Sequence, residues 1–556
     1  MNKTKDLLII LFFLSSFLNA KAQLKEGDTL VVHAITFADP SPEGWGAQYK
    51  TTVQFPDVNE SWAKIEMVQW LKCDSSTKAD KYPCGEWDYI WDTYLKIPQK
   101  DTFEIMSMGS FVTPYGKRLR MGGEKGWQWS YDITDYTPLL KGKREMVTGN
   151  NQELLDLKFL FIKGKPVREV LDIVNIYPYG SYKYWELADD SVLKSQKIHL
   201  LPEAKAYRLK ARISGHGHAG PRNCCEWDSK THSYYINKWD HFRWNVWKDC
   251  GNNAIYPQGG TWPFDRAGWC PGTKVDEYEF ELTPKVKSGD TIDFNYQIEH
   301  YSDNGEKDGN FRMSHQLVSY GEANFRNDAS LEEIIAPSAD AQYSRINPIC
   351  GNPIILIKNT GSNNLKSVLV QYGLKGMPPS EYVWRGNLGF LESEEIMLPP
   401  PDWILSTDQQ NFMVRLSLPN ATNDDNKLNN KLSSIMDWPL LLPENFILHI
   451  ETNNRGRALE NSWFIGDNSG YVHYSADDLQ DSTTYDVPIK LRTGCYQFLL
   501  KDQHEDGISI HWWNYQDDPD EVGINGKVTI LSTKGDVLHR FKSDFGQELL
   551  LNFWVK

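Results

Sequence analysis

The sequence lacks a long hydrophobic run. Its one continuous apolar stretch, Leu7 to Leu18, is shorter than the roughly 20 residues a helix needs to span a bilayer, so stable membrane insertion is not expected. It also lacks a basic block, since 59 Lys and Arg face 74 Asp and Glu for a formal net charge of −15. Without a cationic stripe there is no footprint for a phosphate backbone, and nucleic acid is excluded as an expected partner. Long amphipathic helical patterns are scarce, and no helical repeat or low-complexity tract is present. Neither a Gly-x-Ser-x-Gly elbow nor a His-Glu-x-x-His pattern occurs.

The chain opens with Lys3 and Lys5, the apolar run, and Ala20-Lys21-Ala22 before Gln23, the three parts of a secretory signal with cleavage expected after Ala22. Gln23 is not the Cys that a bacterial lipid anchor requires, so an exported protein, periplasmic or extracellular, is expected. In that setting the eight Cys read as disulfides, although their number alone permits many pairings. Short alternating runs such as Thr29 to Thr36, Tyr182 to Leu187 and Tyr278 to Leu282, punctuated by Gly, Pro, Asn and Asp, predict antiparallel strands and an all-β fold class built of successive sandwiches. At 556 residues, about four domains are expected. The boundaries drawn are a signal at 1–22, units at 23–183 and 184–324, a polar linker at 325–346, an immunoglobulin-like unit at 347–440 and a last sandwich at 441–556. Strands are expected at Ile354 to Asn359, Val368 to Tyr372, Cys495 to Leu500, Lys527 to Leu531 and Leu549 to Val555.

Three constellations could carry chemistry. Cys84-Gly-Glu86-Trp87-Asp88 and Cys224-Cys225-Glu226-Trp227-Asp228 each set two carboxylates around an indole beside a Cys. On a strand the acids share a face, whereas on a turn all three side chains can converge, and a duplicated structural turn is the bland alternative. His216-Gly-His218, with His232 beyond, could supply a zinc set, but packed histidines and oxidised cysteines are the simpler account and no metal or cofactor is expected. Phe264-Asp265-Arg266-Ala-Gly-Trp269-Cys270 fixes a guanidinium in a Gly-rich turn, where it could stabilise charge on oxygen or simply pair with Asp265. The 21 Trp suit either sandwich cores or sugar stacking. Asp502-Gln-His-Glu-Asp506-Gly507 has the look of a cation loop, with a solvated acidic turn the expected reading.

The blocks Cys84 to Asp88, Phe111-Val-Thr-Pro-Tyr115 and Ile213 to Gly272 together resemble the bacterial peptide:N-glycanase F (PNGase F) family, over about residues 30 to 325. The resemblance implies two eight-stranded jelly rolls side by side with the substrate in the cleft between them. It implies hydrolysis of the amide joining the innermost N-acetylglucosamine to Asn, leaving Asp, on N-glycoproteins or glycopeptides by a monomer. Its principal catalytic carboxylate falls on Asp88 and its second acid on Glu226. Trp87, His218, Trp227, Arg266 and Trp269 match substrate-binding positions, and His216 stands where a neighbouring Trp would be. Cys73 to Cys84 and Cys250 to Cys270 match the family's disulfides. Cys224 has Asp228 where its partner would stand, so a vicinal bond to Cys225 or another partner stays open, and Cys350 to Cys495 is left by elimination. The family's third acid aligns near Lys158 to Ile162, where no acid occurs; Glu153 and Asp156 lie nearby. An amide is a poor electrophile, and the chain offers no plausible Cys-His pair, so direct attack by water is expected, with Asp88 managing its proton, Glu226 orienting it and Arg266 stabilising charge. A glycan-binding protein without turnover is the alternative.

Overall fold

The computed structural model describes residues 24–44, 46–57, 60–74, 84, 86–114, 126–149, 153–300, 309–403, 409–511 and 523–556. The expected signal segment and Tyr115 lie outside them. Period-two burial builds the strands: Glu153–Lys163 buries Glu153, Leu155, Leu157, Phe159 and Phe161 and turns the intervening residues outward.

A first sandwich pairs the four-stranded sheet Thr29–Ile35, Glu153–Lys163, Trp62–Cys73, Trp127–Asp132 with a second of Tyr49–Phe55, Gly142–Thr148, Ile90–Pro98, Phe103–Val112, each in that spatial order. Its core includes Phe55 packed edge-on to Phe159 at 5.0 Å between ring centres. The next sandwich has Gln196–His199, Thr291–Ile298, Lys230–Ile236, Trp239–Val246 in one sheet and Glu277–Glu281, Ala206–His216, Asn310–Ala323, Arg168–Lys183 in the other. A three-stranded and a four-stranded sheet form the third core, and a five-stranded and a four-stranded sheet the last. The fold is all-β and jelly-roll-like.

Three local expectations change. Arg168–Lys183 hydrogen-bonds to Asn310–Ala323, so the unit boundary expected at Lys183 falls after a strand of the second sandwich. Tyr184–Ala188 is a short helix rather than the end of a strand, because Tyr184 and Leu187, three apart, bury together and Glu186 accepts from the Lys183 N–H at 3.3 Å. The expected linker contains the strand Ala329–Ala336, which pairs with Ile354–Asn359 and buries Leu331 and Ile334.

The first two sandwiches meet along a polar seam. Tyr136 Oη lies 2.7 Å from Gln316 Oε1, Lys210 pairs with Asp135 at 3.0 Å, and Arg312 pairs with Asp92 at 2.8 Å. Cys73–Cys84, Cys224–Cys225, Cys250–Cys270 and Cys350–Cys495 are disulfide-bonded, the last joining the third and fourth units. The fourth sandwich also abuts the loop after Cys250. Trp262, wholly buried, donates its indole N–H to Asp544 Oδ1 at 2.9 Å, and Arg345 bridges Asn253 O at 2.9 Å to Phe545 O at 2.7 Å.

Candidate active site

Asp88 lies in the turn that enters strand Ile90–Pro98. The turn is held by the Cys73–Cys84 disulfide on one side and by Tyr89 N–H donating to Thr113 Oγ1 at 2.8 Å on the other. Glu226 comes from the second sandwich, just past a two-residue bridge in which His218 pairs with Cys225. Its backbone N–H donates to Gly217 O at 3.1 Å, and its carbonyl accepts from Ala267 N–H at 2.9 Å. This close approach of chain segments demands glycine. A Cβ on Gly215 would stand 1.9 Å from Cys225 O, and Gly268, at a φ of +80°, would place one 2.3 Å from Ile213 O.

Arg266 organises the floor. Its Nε donates to Glu226 Oε1 at 3.0 Å, its Nη2 to Thr261 O at 2.9 Å and Thr261 Oγ1 at 3.1 Å, and its Nη1 to Phe264 O at 2.5 Å. The guanidinium lies between two indoles, 4.3 Å from the Trp227 ring centre and 5.0 Å from that of Trp269. Trp227 in turn stacks on His218, 6.0 Å between centres, and Trp269 on His216 at 5.3 Å. The result is one ladder, His218, Trp227, Arg266, Trp269, His216, with the cation at its middle. Arg266 is 1% exposed and Trp269 2%, and the Trp269 indole N–H is taken by Gly215 O at 2.8 Å. Both are among the expected substrate-binding residues, and both lie buried behind Trp227 and His216. Trp87, 45% exposed, His218, with 61% of its side chain exposed, and half-buried Trp227 are the aromatic groups offered outward.

The electrostatics tie the two motifs into one site. Burial pushes Asp88 up to about 7; Arg266 opposes the rise, Glu226 adds to it and His218 opposes it. Glu226 is also raised, by burial, against the pull of Arg266. His218 Nδ1 accepts from the Trp227 indole at 2.6 Å, which puts the proton of the neutral ring on Nε2, 3.8 Å from Glu226 Oε2. His216 is held down to about 3 by burial and is therefore neutral, its Nε2 2.8 Å from Ser214 Oγ.

The remaining expected residues lie elsewhere. Asp228 is 3% exposed, clamped between Arg222 at 2.7 Å and Lys230. His232 is fully buried with its Nδ1 2.8 Å from Tyr296 Oη, and among the described residues it forms no ligand cluster with His216 and His218. Glu153 is buried opposite Cys73, and Asp156 pairs with His33 at 2.8 Å and Lys158 at 3.3 Å. Sequence reasoning missed Thr261 and Trp262, which with Phe264 cradle Arg266, and the Asp92–Arg312–Tyr179 group, whose Asp92 and Arg312 act electrostatically on His216. The cradle works mainly through backbone carbonyls, which carry no side-chain signal.

The arrangement is that of an all-β, jelly-roll-like protein with two acids brought together from separate sandwiches. A family model described as the C-terminal part of peptide-N-glycosidase F matches residues 183–318. Peptide-N(4)-(N-acetyl-beta-D-glucosaminyl)asparagine amidase F of Elizabethkingia miricola is 29% identical over 294 residues, which is 47% of this chain and 75% of that protein. The solved structure of PNGase F, a glycosylasparaginase from Flavobacterium meningosepticum, is 25% identical, covering 53% of this chain and 96% of its own, at a TM-score of 0.45. Over about half of its length the chain is thus similar to PNGase F, and the similarity supports a hydrolase.

Proposed function

We propose that this protein is an exported peptide-N-glycosidase that hydrolyses the amide between Asn and the innermost N-acetylglucosamine of N-glycans. The observation that carries the reading is the meeting of Asp88 and Glu226 across the seam, with Asp88 raised to about 7 and Glu226 fixed by a buried arginine. A carboxylate with that affinity for protons takes one from water near neutral pH, which a carboxylate at its ordinary value does poorly. Water then adds to the side-chain carbonyl carbon, the C–N bond breaks, and the nitrogen leaves with the returned proton as a glycosylamine; Asp remains in the peptide.

Glu226 presents its second oxygen to the water or the amide. Arg266 is the positioning residue for Glu226 rather than the group on the substrate oxygen, because its donors are occupied by Thr261, Phe264 and Glu226. His218 Nε2–H is the exposed donor beside Glu226, suited to the developing oxyanion. Trp87 supplies an apolar face for the sugar. Export and a monomeric working state belong to the same proposal, and four disulfides fit an oxidising compartment.

The decisive experiment is incubation with a denatured N-glycoprotein followed by mass analysis of the peptide. Conversion of Asn to Asp with loss of the whole glycan supports the reading. A retained N-acetylglucosamine, or glycan bound but uncut, refutes it.

A further inference from the structure

The loop Asp502 to Gly507 is not the solvated turn expected of its composition. Asp502 is 2% exposed and Asp506 5%, and with Glu460 they bring carboxylate oxygens within 4.8 Å of one another. Asp502 ends strand Gly494–Asp502, and its Oδ2 accepts from the backbone N–H groups of Asp506 at 2.7 Å and Gly507 at 2.8 Å, folding the loop back over the strand end. Gly507 is required there, since a Cβ would lie 2.6 Å from Ser543 O at a φ of +72°. The other oxygen, Asp502 Oδ1, is buried and has no hydrogen-bond partner among the described residues.

A second, uncharged acceptor is in the same condition. Asn461 is 3% exposed; its Nδ2 donates to Arg457 O at 2.9 Å, while its Oδ1 is buried without a donor. Asn461 is the direct cross-strand partner of Asp502, so the two side chains rise from the same face of the sheet with Cβ atoms about 4.5–5.5 Å apart. Two buried acceptors side by side, each without a donor, lose hydration uncompensated unless a donor or a cation lies between them, and the carboxylates of Glu460 and Asp506 beside them favour the cation. Arg457 does not fill that role for both, because it is engaged with Asp506 and with Ser509 O at 3.1 Å, and its Nε stands 4.0 Å from Glu460. His504 pairs with Glu460 from the outside, at 2.9 Å.

We infer that Glu460, Asn461, Asp502 and Asp506 form a divalent-cation site in the last sandwich, of the calcium class. All the donors are oxygen, which selects a hard cation over zinc or copper. Ca2+ takes about six to eight oxygen ligands in flexible geometry, whereas Mg2+ keeps several waters and is held by about one or two carboxylates, so three carboxylates with an amide oxygen suit the larger ion. The ion's task is structural. It fixes a loop whose next residues reach the catalytic half of the chain: Glu505 accepts from Gln547 Nε2 at 2.8 Å, and the Gln547 backbone N–H donates to Gly251 O at 2.9 Å, beside Cys250. The site does not depend on the proposed reaction.

The test uses the full chain, freed of divalent ions with EGTA and titrated with CaCl2. Calorimetry is expected to show a single Ca2+ site, and the unfolding temperature is expected to rise once free Ca2+ exceeds the Kd. Asp502→Asn keeps an acceptor for the loop N–H groups and offers an N–H to Asn461 Oδ1, so it is expected to fold yet bind Ca2+ about tenfold or more weakly. Glu460→Gln, at the more exposed rim, is expected to weaken binding likewise. Glu505→Gln probes the separate acidic group Asp249, Asp265 and Glu505 at the module junction and is expected to leave affinity unchanged. A wild-type chain that binds no Ca2+, unchanged affinity in folded Glu460→Gln, or a loss confined to Glu505→Gln overturns the assignment.

Discussion

If Asp88 is the base, the pH dependence of kcat/KM reports its ionisation in the free enzyme. The active form is the carboxylate, and with a value of about 7 it is half populated at neutral pH. Activity is then expected to rise to a plateau above pH ~8 and to fall to about 1% of it at pH ~5, tenfold per unit on the acid limb. Glu226→Gln sharpens the test. The amide oxygen still accepts from Arg266 Nε, but the negative charge that helps raise Asp88 is gone, so the acid limb is expected to move to lower pH while kcat falls. The same shift has a stability consequence. Asp88 is raised in the folded protein from an ordinary 3.8 to about 7, so the folded state binds the proton more tightly than the unfolded chain between those values. Ionising it therefore costs stability as pH climbs through that window, by at most about 4 kcal/mol above pH ~7, at 1.36 kcal/mol per unit. Asp88→Asn is expected to be inert, correctly folded and more stable than the parent at pH ~8, with the advantage vanishing toward pH ~4. Deglycosylation assays across pH and thermal unfolding of both variants measure this. A wild-type profile flat from pH ~5 to ~8, or an acid limb unmoved in Glu226→Gln, refutes the role given to Asp88.

The supporting residues make separate predictions. Arg266→Lys replaces a planar fork held by three acceptor residues with a single ammonium. It is expected to lower kcat by about 10²–10³ with a smaller change in KM, read from steady-state kinetics on a glycopeptide. Asp544→Ala removes the acceptor of the buried Trp262 indole, in the loop that also holds Arg266; a stability loss of about 1–3 kcal/mol by denaturant unfolding and a reduced kcat are expected, although Asp544 belongs to the fourth sandwich. Trp87→Ala is expected to raise KM for glycopeptide with little loss of stability, since that indole is 45% exposed.

Legibility in the sequence followed the range of the interaction involved. Ile354–Asn359 reads directly from alternation closed by Thr360-Gly361, because the forces that make it a strand lie within six residues. Tyr182 to Leu187 misleads, since a short aromatic run satisfies a period of two as well as a spacing of three, and only the burial of Tyr184 with Leu187 decides for helix. The segment 325–346 reads as polar, yet Leu331 and Ile334 among its glutamates are enough to make an inward face once Ile354–Asn359 lies beside them. At the site the two carboxylates were visible as motifs, but their meeting was not, since it depends on the seam between sandwiches. The support of Arg266 was less visible still, being carried by the carbonyls of Thr261 and Phe264, which any residue would possess.

The two Cys-x-Glu-Trp-Asp motifs show most sharply what context adds. In the first copy the terminal Asp88 stands half-buried at the seam, facing Glu226 and Arg266, and takes on a proton affinity near neutrality. In the second the corresponding Asp228 is locked between Arg222 and Lys230, and it is the internal Glu226 that reaches the seam. The difference follows from what each turn closes on. Asp88 precedes the strand Ile90–Pro98 that runs along the seam, so its side chain stays beside the second sandwich. Glu226 lies between a backbone bond to Gly217 and another to Ala267, which leave its carboxylate against Arg266 and draw the next acid inward. Identical letters thus give one acid to the seam from each sandwich, but from different positions of the motif, and a pair drawn by position alone would replace Glu226 with the buried, ion-paired Asp228.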